Sequence, residues 1–157
     1  MSPALLVRDL RPERGVDLRL FRRILCVLLE ERLSRKVGEL AIYLVDRAEM
    51  TRLNEAFLRH SGPTDVITFD YSEPGAGPSL YGEIFICLPV ARAQAQKFKV
   101  TWQSELIRYA VHGVLHLCGH DDQTPPERAR MKRAENNHLR GLAARFDLGK
   151  LAFHKRR

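Results

Sequence analysis

The chain has few cysteines, few aromatic residues, no long uncharged apolar stretch and a shortage of acidic side chains. Its three cysteines, Cys26, Cys87 and Cys118, are odd in number and scattered through apolar segments. A disulfide framework is therefore not expected, and buried reduced thiols in the cytosol are. No run of about 18 uncharged apolar residues occurs, so no membrane span is expected. The opening stretch from Met1 to Arg8 is too short and meets charge too early to read as a signal peptide. Acidic residues number 19 against 26 Lys and Arg, for a formal net charge of +7. Residues 125–157 hold ten of those bases and only three acids, Glu127, Glu135 and Asp147, so this segment carries the whole excess. Such a patch fits a polyanionic partner, although a solvated helix followed by a basic tail from about residue 147 would look the same.

At 157 residues, with 45% hydrophobic and 29% charged side chains, the chain reads as a single globular domain, residues 1–157. Ala4–Arg8 is a candidate edge strand. Asp17 can cap a helix to about Ser34 with Phe21, Ile24, Leu25, Leu28, Leu29 and Leu33 at helical spacing. Glu39–Asp46 is apolar on both faces, as a central covered strand would be. Asp46 can cap a helix to about Leu58 that turns Met50, Leu53 and Phe57 inward. Thr64–Tyr71 and Tyr81–Leu88 read as strands, separated by a Gly- and Pro-rich loop over Ser72–Ser79. Pro89 suits the first turn of a helix to about Phe98, Thr101 can cap the next, and Pro126 can open a last one to about Phe146. The expected fold is α/β (α+β): one compact domain with a small mixed sheet of about four strands packed with about five helices.

The richest stretch runs His112-Gly113-Val114-Leu115-His116-Leu117-Cys118-Gly119-His120-Asp121-Asp122. Two histidines four apart lie one above the other on a helix and can grip one divalent ion. Gly119 suits a left-handed helix end, and the reversed chain can bring Asp122 back as third ligand. Three protein ligands leave a position open, the arrangement of catalytic rather than structural zinc. His120 is the rival third ligand. The spacing is zincin-like, yet zincin peptidases carry Glu directly after the first histidine as general base, and here that place is Gly113. Asp121 is a candidate acceptor that orients an imidazole. Cys118 reads as packing, His138 as a satisfied core histidine, and His60 and His154 as surface residues.

This motif resembles the metal site of the YbeY family of endoribonucleases, usually His-Gly-x-Leu-His-Leu-x-Gly-Tyr-Asp-His. Two further blocks are similar to that family: Leu53-Asn54 with Pro63-Thr64-Asp65-Val66-Ile67-Thr68-Phe69, and Tyr81-Gly82-Glu83-Ile84-Phe85-Ile86-Cys87. Together the blocks cover roughly residues 40–135. Two departures fall inside the site, where the family's last histidine is Asp122 and its tyrosine is His120. The resemblance implies metal-dependent, single-strand-directed cleavage of RNA in the maturation of the small-subunit ribosomal RNA 3′ end. Its partners would then be a ribosomal RNA precursor and ribosomal subunit proteins, in the cytoplasm, with no membrane. His112, His116 and Asp122 would hold one divalent ion, with zinc the first choice; a carboxylate in place of an imidazole makes the site harder and more tolerant of manganese. The family's functional arginine precedes the Pro-Thr-Asp block. Arg59 is the nearest match, giving Arg59, His112 and His116 as the catalytic set, although ungapped counting puts Leu58 there. Thr64, Asp65 and Asn54 can shape the cleft or cap turns and helix ends. Two other classes stay open: a zincin-like metalloprotease, and a non-catalytic ribosome-associated RNA-binding protein whose metal only locks a helix end.

Overall fold

A computed structural model describes residues 4–13, 15–58, 64–75 and 77–153. Among them the chain forms β1 (Leu5–Asp9), α1 (Leu18–Val27), β2 (Val37–Val45), α2 (Arg47–Leu53), β3 (Val66–Asp70), β4 (Leu80–Cys87), α3 (Leu88–Phe98), α4 (Trp102–Leu117) and α5 (Pro125–Arg145). Short polar residues start the helices by taking otherwise free N–H groups. Asp17 accepts from Leu20 N at 3.0 Å, Asp46 from Glu49 N at 2.9 Å and Thr101 from Ser104 N at 3.2 Å. Thr124 and Glu127 close a reciprocal capping box at the head of α5, a Thr-x-x-Glu signal legible in the sequence that the expected start at Pro126 overlooked. No helix among the described residues is long and apolar enough to cross a membrane.

The expected α/β (α+β) fold is the one observed. The four strands form a mixed sheet in the order β1-β2-β4-β3, with β1, β2 and β4 parallel and β3 antiparallel to β4. Register places Leu40 beside Gly82, Ile42 beside Ile84 and Leu44 beside Ile86, so alternate residues of the central strands form one buried wall. Phe21, Ile24, Leu25, Leu28 and Leu29 of the first helical segment and Leu106, Ala110 and Val114 of α4 pack on that wall. The opposite face carries a smaller cluster under α2, with Val45, Met50, Leu53, Ile67 and Cys87 buried and Tyr43 stacked on Phe85 at 5.0 Å.

Two helix ends depart from regular spacing. The expected helix to Ser34 is α-helical to Val27 and continues as a wider π-type turn over Leu28–Arg32; α2 does the same over Asn54–Leu58. This second departure corrects the placement of Phe57. The 3.6-residue period that would carry it inward stops at Leu53, and Phe57 is 61% exposed, its ring edge-on to Phe69 at 5.5 Å between centroids.

α4 approaches the sheet closely because two glycines leave room for it. A Cβ on Gly113 would lie 2.8 Å from Ile84 Cγ2, and one on Gly82 would lie 2.5 Å from the Phe69 carbonyl and 2.9 Å from Leu117. Gly113→Ala tests this approach by the sign of its effect. Helix propensity alone gives a gain of about 1 kcal/mol, whereas crowding against Ile84 gives a net loss of about 1–2 kcal/mol. A lower urea midpoint at unchanged m-value is the expected result, and a gain in stability contradicts the close approach.

Candidate metal centre

From Glu105 to Leu117 every residue of α4 is buried except Arg108, His112 and His116, which stand one turn apart on a single row. The helix therefore has one place for polar chemistry, and the sequence fills it with a guanidinium and two imidazoles. Past Leu117 the chain reverses. Gly119, at φ +97°, donates its N–H to His116 O at 3.0 Å, and His120 N donates to Leu115 O at 3.0 Å. Arg128 of α5 then holds the loop, its guanidinium donating to the carbonyls of Gln123 at 3.0 Å and Asp122 at 3.4 Å.

The reversal returns Asp122 to the two histidines. His112 Nε2 and His116 Nε2 lie 3.0 Å apart, and Asp122 Oδ2 lies 3.5 Å from the first and 3.3 Å from the second. Donors bound tetrahedrally to zinc with bonds of about 2.0–2.1 Å sit roughly 3.3–3.4 Å from one another. Two imidazoles and a carboxylate converging at that spacing could hold one divalent ion. The donor set, two nitrogens and a hard oxygen, suits zinc or manganese chemically.

A buried carboxylate on the neighbouring helix orients the first histidine. Glu135 Oε2 of α5 lies 2.6 Å from His112 Nδ1, and with the carboxylate accepting there a neutral imidazole keeps its Nε2 lone pair facing Asp122 and His116. Glu135 is itself 9% exposed and is steadied by Arg108 at 3.3 Å, which also donates to Asn136 Oδ1 at 2.9 Å. Burial works against a charged His112, but the hydrogen bond and charge of Glu135, with the charges of Asp122 and Asp65, outweigh it and raise the imidazole's pKa. A more basic imidazole is a stronger ligand. Burial and Arg108 act in opposite directions on Glu105, where burial prevails and raises the carboxyl.

The orienting role expected of Asp121 falls to Glu135 instead. Asp121 and His120 are both exposed and line a separate hollow with Cys118, Glu127 and Arg130, because the left-handed turn at Gly119 sends their side chains away from the histidine row. Cys118 is half-buried against the core, and burial pushes its thiol up. Asp65 takes the N–H of Val66 at 2.7 Å and also faces a hollow of about 490 Å³ shared with Thr68, Asp70, His112, His116 and Asp122. Asn54 is buried at the C-terminal end of α2. His138 is half-buried and accepts from Arg32 Nε at 3.0 Å. Arg59, His60 and His154 lie outside the described residues. The peptidase base that Gly113 replaces has no room here, since any side chain at 113 would press on Ile84.

Glu135→Gln removes the charge behind His112 and keeps the shape. Its expected effect is a loss of about 10–100-fold in divalent metal affinity, read by competition with a chromogenic chelator. A fold verified by circular dichroism together with unchanged affinity would show that the carboxylate does not tune the site.

The sequence model of the family described as endoribonuclease YbeY matches residues 14–143. The endoribonuclease YbeY of Phocaeicola vulgatus is 40% identical over 106 residues, spanning 68% of this chain and 75% of that protein. Its counterpart from Chlorobium phaeovibrioides is 41% identical over 118 residues, spanning 75% of this chain and 77% of that protein. The solution structure of the protein TM1509 from Thermotoga maritima superposes with a TM-score of 0.65 at 26% identity, covering 90% of each chain. The family model takes in β2, β3, β4, α4 and most of α5 together, and the chain belongs to the endoribonuclease YbeY family.

Proposed function

We propose that this protein is a metal-dependent endoribonuclease that cuts single-stranded RNA in the maturation of the small-subunit ribosomal RNA 3′ end. The observation that carries the reading is the convergence of His112 Nε2, His116 Nε2 and Asp122 Oδ2 within reach of one another beside an open hollow. Family membership supports RNA as the substrate, and the basic excess of residues 125–157 supports a polyanion. The cytoplasm is the proposed compartment, and ribosomal subunit proteins are the proposed company.

The residues divide the work. His112, His116 and Asp122 hold the ion, zinc first and manganese second. When bound, such an ion supplies Lewis acidity to a phosphodiester oxygen and to the attacking hydroxyl. Glu135 fixes the tautomer of His112 so that its lone pair, not its proton, faces the site. Arg128 steadies the loop that delivers Asp122. Negative charge gathers on phosphorus as the new bond forms, and Arg59 is proposed on sequence grounds as the guanidinium that offsets it. The runner-up classes fare less well. A zincin-type peptidase needs a base where Gly113 packs on Ile84. A site used only to lock a helix end has no need of the hollow beside it.

The test is cleavage of a transcript that spans the mature 3′ end of small-subunit ribosomal RNA, with zinc or manganese added. His116→Ala is expected to lower the rate about a hundredfold or more, the worth of several kcal/mol of transition-state stabilisation. Equal cleavage by both proteins would assign the activity to a contaminant and end the proposal.

A further inference from the structure

We propose that the α4–α5 side of the metal centre is a single-stranded RNA subsite, in which Phe98 stacks on a base while Lys132 and Arg128 hold the adjoining phosphates. This rests on the endoribonuclease reading and gives the substrate strand a path across the site. His112 and Asp122 line two hollows, one on each side. On the β3 side the charged walls are acidic, Asp65 and Asp70, with no Lys or Arg among the described lining residues. On the other side a hollow of about 470 Å³ is bounded by Phe98, Val100, Arg128 and Lys132. Among the described residues, the second wall is the one that offers cations to a polyanion.

The acids on this second side are already committed. Glu105 and Glu135 are buried and paired with Arg108 at 3.6 and 3.3 Å, and Glu135 also serves His112. Lys132 and Arg128 are four residues apart on one face of α5, exposed, and without a carboxylate partner among the described residues. Facing them, α3 ends in a left-handed Lys99, and the turn there presents Phe98 at 62% and Val100 at 46% exposure. The Phe98 ring belongs to neither apolar cluster and is largely open to solvent. Lys97 Nζ lies 5.7 Å from the ring centroid and adds a further cation beside it. A flat apolar ring set among cations is the chemistry that takes a base and its phosphate, and it does so with little regard to sequence.

The experiment uses the metal-loaded full chain and fluorescein-labelled 2′-O-methyl octauridylate, with binding read by anisotropy directly after mixing. Phe98→Ala is expected to weaken binding about tenfold with the salt dependence unchanged, and Phe98→Trp to restore it. Lys132→Ala is expected to weaken binding and to flatten the log–log salt slope by about 0.7. Arg128 is left intact because it also holds the Asp122 loop. Affinities and slopes of both alanine variants equal to the wild type would overturn the subsite, as would displacement of the octamer by polyglutamate at matched charge. Cleavage of ribosomal RNA by the wild type, with both variants binding normally, would remove the subsite and keep the nuclease. Tight wild-type binding that both variants weaken, without any cleavage, would support the subsite and remove the nuclease.

Discussion

From Glu105 to Leu117 helix α4 is enclosed on all sides but one, and the rest of the site follows from that enclosure. Gly113 and Gly82 let the helix lie against β4 and the end of β3 so closely that no added carbon fits without movement. The only row left with access to solvent is the one bearing Arg108, His112 and His116. Side chains carried on a helix packed this closely are pre-positioned with respect to one another. Stability and function meet at this contact, because loosening α4 would displace both imidazoles together.

The second support comes from α5. It reaches across the open row with Glu135 to set the tautomer of His112, and with Arg128 to fix the loop that carries Asp122. The same helix turns Lys132 towards the adjoining hollow. One helix thus orients a ligand, places another and presents positive charge beside both. The charge excess at the C-terminal end of the sequence has a structural meaning here: of its acids, Glu135 is buried behind His112, Glu127 closes the cap of α5 and Asp147 accepts from Gly149 N, while several of its bases are exposed.

What the sequence disclosed and what it hid follow the range of the interactions involved. The histidine pair, the left-handed Gly119 and the returning Asp122 lie within eleven residues, where helical period and turn chemistry are local rules, and the arrangement was legible from them. Strand positions and helix caps were legible for the same reason. Glu135 was not, because it lies 23 residues beyond His112 and meets it only when α5 packs on α4; Asp121 was nearer in sequence and drew the role wrongly. Phe57 was misplaced because periodicity gives no notice of a π-type turn at Asn54–Leu58. The reason for glycine at 113 was equally invisible, since it lies in Ile84 on another element.

X-ray absorption at the zinc edge of the loaded protein tests the central claim most directly. Coordination by His112, His116 and Asp122 predicts two imidazole nitrogens and the remaining donors as oxygen, all at about 2.0–2.2 Å. A third imidazole, which His120 would supply, or a sulfur shell at about 2.3 Å from Cys118, would contradict it.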